Sequence, residues 1–250
     1  MAQDSASPRV PNGCDQCPVR PFTLYSANGN GTPAEIGELR KGVRVLPARR
    51  TIYREGETSN EIFTLFDGWA FRFKVLPDGR RSILSFLLPG DLISVPLLHF
   101  DRLHFSVQSL TAVSLCVFER AALVEYVRNR PALARRFESF CGRETALAEE
   151  RLADVGRRSA RERVARLILR KFQQLQARNA VRGSSFEFPL RQQHVADALG
   201  LTAVHVSRVL NALRTEGLVA IERGRLTIID RGALIRTAAM RQGEIGSEAI

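Results

Sequence analysis

RQQHVADALGLTAVHVSRVLNALR, residues Arg191 to Arg214, divides into two short helices about a glycine. Val195, Ala196 and Leu199 recur at helical spacing up to Gly200, a residue suited to a sharp helix end. Thr202 then offers an N-cap hydroxyl to a second helix, in which Val206, Val209, Leu210 and Leu213 form the inward stripe. Ala203, Val204, His205, Ser207, Arg208 and Asn211 are left to face outward. This pattern is a helix-turn-helix, a motif that places the first turns of its second helix in a DNA major groove. Arg208 is the strongest candidate reader, because its guanidinium can donate two parallel hydrogen bonds to guanine O6 and N7, worth about 1 to 3 kcal/mol of discrimination. Ser207 and His205 suit a base or a phosphate, and Val204 and Thr202 complete the candidate surface.

Downstream, LVAIERGRLTII (Leu218 to Ile229) holds two alternating apolar runs around Arg223-Gly224-Arg225. That reads as a hairpin with a basic tip, so the C-terminal part is a winged helix-turn-helix, with Arg223 and Arg225 as further candidate DNA contacts. The charge agrees. The chain carries 37 Lys and Arg against 26 Asp and Glu, a formal +11, and its pI is near 10.6. Residues 157 to 214 hold eleven Arg and one Lys against only Glu162, Glu187 and Asp197, so most of the excess lies beside the proposed reader. Such a segment is drawn to a polyanion, with phosphate contacts supplying affinity and base-facing side chains supplying specificity.

Upstream the texture changes. Residues 43 to 119 read as short strands divided by turn signals at Glu55-Gly56, Asp67-Gly68, Pro77-Asp78-Gly79 and Pro89-Gly90-Asp91. With WAFRFKVL from Trp69 alternating as a half-buried strand does, this predicts an antiparallel sandwich or jelly roll. Pro131 opens a long helix to about Gly156. Its apolar stripe, Leu133, Phe137, Phe140, Cys141, Leu147, Ala148, Leu152 and Val155, is broad enough to serve the roll and a symmetry mate, although a helix that only caps its own domain remains open. A homodimer would set two reader helices about 34 to 36 Å apart, on two half-sites. A further helix, Ser159 to about Gln176, leads to the reader.

The expected class is α+β. The segments are a flexible N-terminal stretch with a CxxC (residues 1–30), a β-roll (31–130), a dimerisation helix (131–157), the winged helix-turn-helix (158–232) and a tail of short helix and frayed end (233–250). No apolar run of about 18 residues predicts a membrane span, and the polar opening MAQDSASPRVPNG does not read as a secretory signal, so a cytoplasmic location is expected. No nucleophile elbow or metal-hydrolase spacing suggests an enzyme. His99 and His104, five residues apart without an evident third ligand, read as surface groups before haem or metal ligands.

A β-roll, a long helix and a winged helix-turn-helix, with YREGE, LFDGWAFRF, PDGRRSILSFLLPGDLI and HVSRVLNALRTEGLV, resemble the CRP/FNR family of bacterial transcription regulators from Cys14 to about Asp230. The resemblance implies double-stranded DNA with a pseudo-palindromic operator and RNA polymerase as partners. It gives Arg208 the role of principal base-contacting arginine and Ser207 that of its neighbour in the FNR branch. Val204 stands where the family usually has a base-reading glutamate, so the usual half-site does not transfer: valine can meet a thymine methyl but cannot accept from cytosine.

The resemblance also bears on control. Where the nucleotide-binding branch has a Gly-Glu pair and later an Arg-Ser/Thr pair, this chain has Ser94-Val95 and His104-Phe105-Ser106, which argues against cyclic AMP. Cys14, Cys17 and Cys116 resemble part of the FNR branch's oxygen-sensing arrangement, but the third N-terminal cysteine of that branch is missing. With Cys141 as the fourth ligand, the set implies an altered [4Fe-4S] site. The alternative is ordinary buried cysteines at Cys116 and Cys141, with a CxxC that is vestigial or acts as a thiol switch, in a regulator that is constitutive or answers another small ligand.

Overall fold

Residues 7–23, 25 and 32–240 are described by the computed structural model, in which the chain forms two units, 1–146 and 147–250. The division falls within the long helix, earlier than the boundary at 157 expected from sequence.

Among the described residues, seven strands build the first unit. They are β1 (Arg40–Leu46), β2 (Thr51–Tyr53), β3 (Glu61–Asp67), β4 (Ala70–Val75), β5 (Arg81–Leu87), β6 (Ser106–Ser109) and β7 (Val113–Glu119). They pair antiparallel in two sheets, β1-β7-β3 and β2-β6-β4-β5. Ile62, Leu65, Val107, Val113 and Leu115 are fully buried, and β3 and β7 are buried along consecutive residues, so these two strands are covered on both faces. Trp69 is buried at the β3–β4 turn, where Gly68 has φ +84 and a side chain would meet the Ala112 carbonyl at 2.2 Å. Gly79, in the β4–β5 turn, has a similar φ of +81 but faces open space.

Short helices that the strand grammar did not signal close this unit. They are α1 (Pro33–Leu39), with a Thr32–Glu35 capping box, and α2 (Arg120–Arg128). The long helix α3 (Pro131–Arg157) buries Leu133 and Phe137 in the roll's core. Arg72, a nearly buried strand residue, pairs with Glu144 of α3 at 2.8 Å and lies 5.4 Å over the Phe105 ring.

The first segment corrects an expectation. Residues 7–23 do not trail as a flexible lead: Arg9 binds Asp67 through its backbone N–H and guanidinium, the Ser114 hydroxyl donates to the Arg9 carbonyl, and Val19 is buried. These contacts join residues far apart in sequence, which a polar opening does not reveal.

In the second unit, α4 (Ala160–Ala177) starts at a Ser159–Glu162 capping box. Then come β8 (Val181–Arg182), β9 (Ser185–Glu187), α5 (Gln192–Leu199), α6 (Ala203–Thr215), β10 (Val219–Glu222), β11 (Arg225–Ile228) and α7 (Arg231–Thr237). The expected hairpin is β10–β11, extended by the unforeseen β9 and β8 into a four-stranded sheet. Asp230 caps α7, the expected short helix of the tail, and the end of the tail from residue 241 lies outside the described residues.

The last turns of α3 are tied to α4 by charge. Asp154, largely buried, faces Arg158 at 2.7 Å, Arg166 at 3.1 Å and Arg170 at 3.3 Å, and Glu150 also binds Arg170. Removing the shared carboxylate leaves Glu150 as the remaining counter-ion of Arg166 and Arg170, an imbalance of buried charge that costs up to about 3 to 5 kcal/mol. Asp154→Asn is expected to lower the thermal midpoint of the second unit sharply, as followed by calorimetry, while Glu149→Gln, at an exposed position of the same helix, leaves it within a degree or two. In the first unit, Gly68→Ala is expected to cost about 2 to 4 kcal/mol in denaturant unfolding, from strain and collision together. Gly79→Ala carries the strain alone and costs less.

Candidate nucleic-acid interface

Gly200 makes the turn between α5 and α6 possible. It sits at φ 64 and ψ 39, a left-handed conformation that needs no Cβ, and its space is otherwise open. Two residues on, the Thr202 hydroxyl accepts from the backbone N–H of His205 at 3.2 Å and starts α6. Val206, Val209, Leu210 and Leu213 are all buried, as their spacing predicts. The Arg163 guanidinium donates to the Leu199 carbonyl at 2.9 Å, so α4 closes the C-terminal end of α5.

The opposite side of α6 is open. Val204, at 61% exposure, and His205 and Arg208 face solvent, while Ser207 is half-buried. The α5–turn–α6 unit thus presents Thr202, Val204, His205, Ser207 and Arg208 on one helix and its cap. Sequence reasoning missed Gln192. It stands at the first position of α5, and its side-chain amide donates to the Ser207 hydroxyl at 3.2 Å. A read of the second helix alone does not find a partner fifteen residues earlier.

In the wing, Arg223 adopts φ 47 beside Gly224 at φ 76, the paired positive angles of a two-residue hairpin turn. Arg223 is exposed at the tip. Arg225 lies one pair back, and its guanidinium turns to Ser185 of β9 at 3.4 Å. Of the two tip arginines, Arg223 is therefore the one held outward by the turn itself.

The candidate metal ligands are only partly brought together. The Cys17 N–H donates to the Cys14 carbonyl at 3.5 Å, closing a turn over the CxxC. Cys116, in the middle of β7, is buried. Burial pushes its thiol up to about 11 against the opposing Arg40 guanidinium, with Cys17 and Cys14 near enough to add their charge. Burial also raises Cys14, again against Arg40. Cys141 packs on the roll's core, as its face of α3 suggests, but the charge acting on it is that of Glu144 and not of the other thiols. Among the described residues, no three His, Cys, Asp or Glu side chains gather as a metal site.

The remaining sequence candidates are occupied. His99 lies 4.6 Å from the Phe137 ring, and His104 meets Phe105 edge-on at 5.0 Å. Ser94 is fully buried, with its hydroxyl donating to that of Tyr53 at 3.2 Å, and Ser106 accepts from the Glu55 backbone. Among the described residues, no helix is long and apolar enough to cross a membrane.

Known proteins match both units. Residues 43–130 match the cyclic nucleotide-binding domain model, and residues 162–237 the Crp-like helix-turn-helix domain model. The transcriptional activatory protein AadR of Rhodopseudomonas palustris is 33% identical over 86% of this chain and 88% of its own length. The nitrogen fixation regulation protein FixK of Bradyrhizobium diazoefficiens is 32% identical over 92% and 96%. Among solved structures, FixK2 from Bradyrhizobium japonicum superposes with a TM-score of 0.72 at 26% identity, covering 80% of this chain and 98% of that one. With a β-roll, a long helix and a winged helix-turn-helix in the same order, and relatives of this identity along nearly their whole length, the chain belongs to the CRP/FNR family of DNA-binding transcription regulators.

Proposed function

We propose that the chain is a homodimeric, sequence-specific transcription regulator whose α6 enters the major groove and reads bases through Arg208 and Ser207. The observation that carries this is the outward, unburied face of α6 held on a buried stripe by the Gly200 turn. Val204 adds an apolar contact suited to a thymine methyl in place of a carboxylate reader. His205, Thr202, Arg223 and Arg225 supply contacts around the bases, chiefly to phosphate.

Dimerisation through α3 is supported by its exposed face. Leu152 is 76% and Val155 54% exposed, and exposed Thr145 and Ala148 continue the same three-and-four spacing toward the N-terminus. Such a seam asks for a second copy of the helix. Its relatives include transcriptional activators, which supports activation and RNA polymerase as the further partner.

Control is proposed to work without cyclic AMP. Ser94 is turned inward to Tyr53, and Phe105 is buried under Arg72, so neither residue offers the contacts that a cyclic nucleotide needs. The reading favoured for the input is a thiol one. Cys14 and Cys17 close one turn, and a disulfide between them would form by losing two electrons and two protons to a peroxide or disulfide oxidant. The second reading is a [4Fe-4S] cluster on Cys14, Cys17, Cys116 and Cys141. The nearness of Cys14 and Cys17 to Cys116 favours it, but Cys141 would have to be brought to them.

Two measurements test these readings. Arg208→Ala is expected to relax preference at one base pair per half-site by about five- to 150-fold, from the 1 to 3 kcal/mol of a bidentate contact. Uniform weakening over all sequences would instead make Arg208 a phosphate contact. Protein purified without oxygen is expected to be colourless and free of stoichiometric iron and sulfide. A brown protein with four of each per protomer would establish the cluster in place of the thiol switch.

A further inference from the structure

The hydrogen bond from Gln192 to Ser207 joins the two helices of the reader at its surface. Gln192 is exposed at the first position of α5, Ser207 is half-buried on α6, and the Gln192 Nε2–H donates to the Ser207 Oγ at 3.2 Å. The neighbouring amide is engaged elsewhere: Gln193 donates to Asp197 at 2.6 Å. The Arg191 N–H is engaged too, by His194 Nδ1 at 3.1 Å. Gln192 is thus a side chain of this helix start whose hydrogen bond reaches the reading helix.

A serine hydroxyl carries one donor and two acceptor lone pairs, so on its own it reads base edges ambiguously. Donation from a fixed amide occupies one of the two lone pairs of that hydroxyl and turns the balance of its remaining capacity toward its O–H. From this geometry we infer that Gln192 is a specificity-determining positioning residue, which biases Ser207 toward donating a hydrogen bond to an acceptor on the DNA. In the major groove those acceptors are guanine N7 and O6, adenine N7 and thymine O4, whereas the cytosine N4 amino group offers only donors. Gln192 touches no base in this role. It acts through Ser207, and the inference rests on the proposed reading of DNA by α6.

Base preference at every half-site position, measured by selection from a randomised operator with the intact protein, separates the alternatives. Gln192→Ala is expected to blunt the preference at one base pair per half-site by about three- to ten-fold, the range of a single hydrogen bond. Gln192→Glu is the sharper variant. A carboxylate can only accept, so it takes the Ser207 proton, leaves the serine lone pairs facing the groove, and moves the preference at that same pair toward cytosine N4 or adenine N6 donors. Its added negative charge lowers affinity for every sequence alike, which leaves the pattern readable. In a Ser207→Ala background, neither change at residue 192 is expected to alter the pattern.

Uniform weakening by both variants, or a change of pattern that persists in the Ser207→Ala background, would overturn the inference and make Gln192 a direct DNA contact. Arg208→Ala, run in the same selection, keeps this failure apart from a failure of the DNA reading. If Arg208→Ala shifts preference and the Gln192 variants do not, the reader stands and the positioning role falls. If none of the variants shifts any base, the reading of bases by α6 falls with it.

Discussion

α6 can hold side chains out toward a groove only because its other face is kept dry. Val206 and Leu213 are fully buried and Val209 and Leu210 nearly so, in a core that α4, α5 and β10 share with it. Each such aliphatic side chain contributes about 1.5 to 3 kcal/mol by leaving water. That burial fixes the rotation of α6 about its own axis, so Arg208 and Val204 have no choice of face. The left-handed turn at Gly200 sets where the helix starts, and the Thr202 cap fixes its first turn.

Charge does a different task on each unit. In the second, Asp154 gathers Arg158, Arg166 and Arg170 and ties the end of α3 to α4, so a segment rich in arginine is not all available to DNA. Part of the basic excess read from composition is internal structure. Arg161, bound to Glu216, is likewise engaged within the protein. In the first unit, Arg72 and Glu144 join the roll to α3 by a single ion pair beside an aromatic ring.

Local patterns were legible in the sequence, and long-range partnerships were not. The Gly200 turn, the Thr202 cap, the two apolar stripes and the turn glycines of the roll depend on neighbours within a few residues, and each is found where spacing put it. The two- and three-residue strands β8 and β9 are too short to show a period. Arg9 with Asp67 and Arg72 with Glu144 are 58 and 72 residues apart, and only folding brings them together. The cysteines show the same limit: their number suggested one site, but strand register and helix rotation place Cys116 near Cys14 and Cys17 and give Cys141 a different neighbour. Gln192 escaped notice because its meaning lies in a hydrogen bond across the helix turn.

The central claim is that this chain reads sequence, and does not merely bind a polyanion through its net positive charge. Binding of the intact protein to its selected operator and to random duplex, titrated over a range of salt, tests it most directly. The account expects the random-duplex affinity to fall linearly in log salt, with the operator bound at least about a thousand-fold more tightly throughout. A ratio near one at every salt concentration would contradict it.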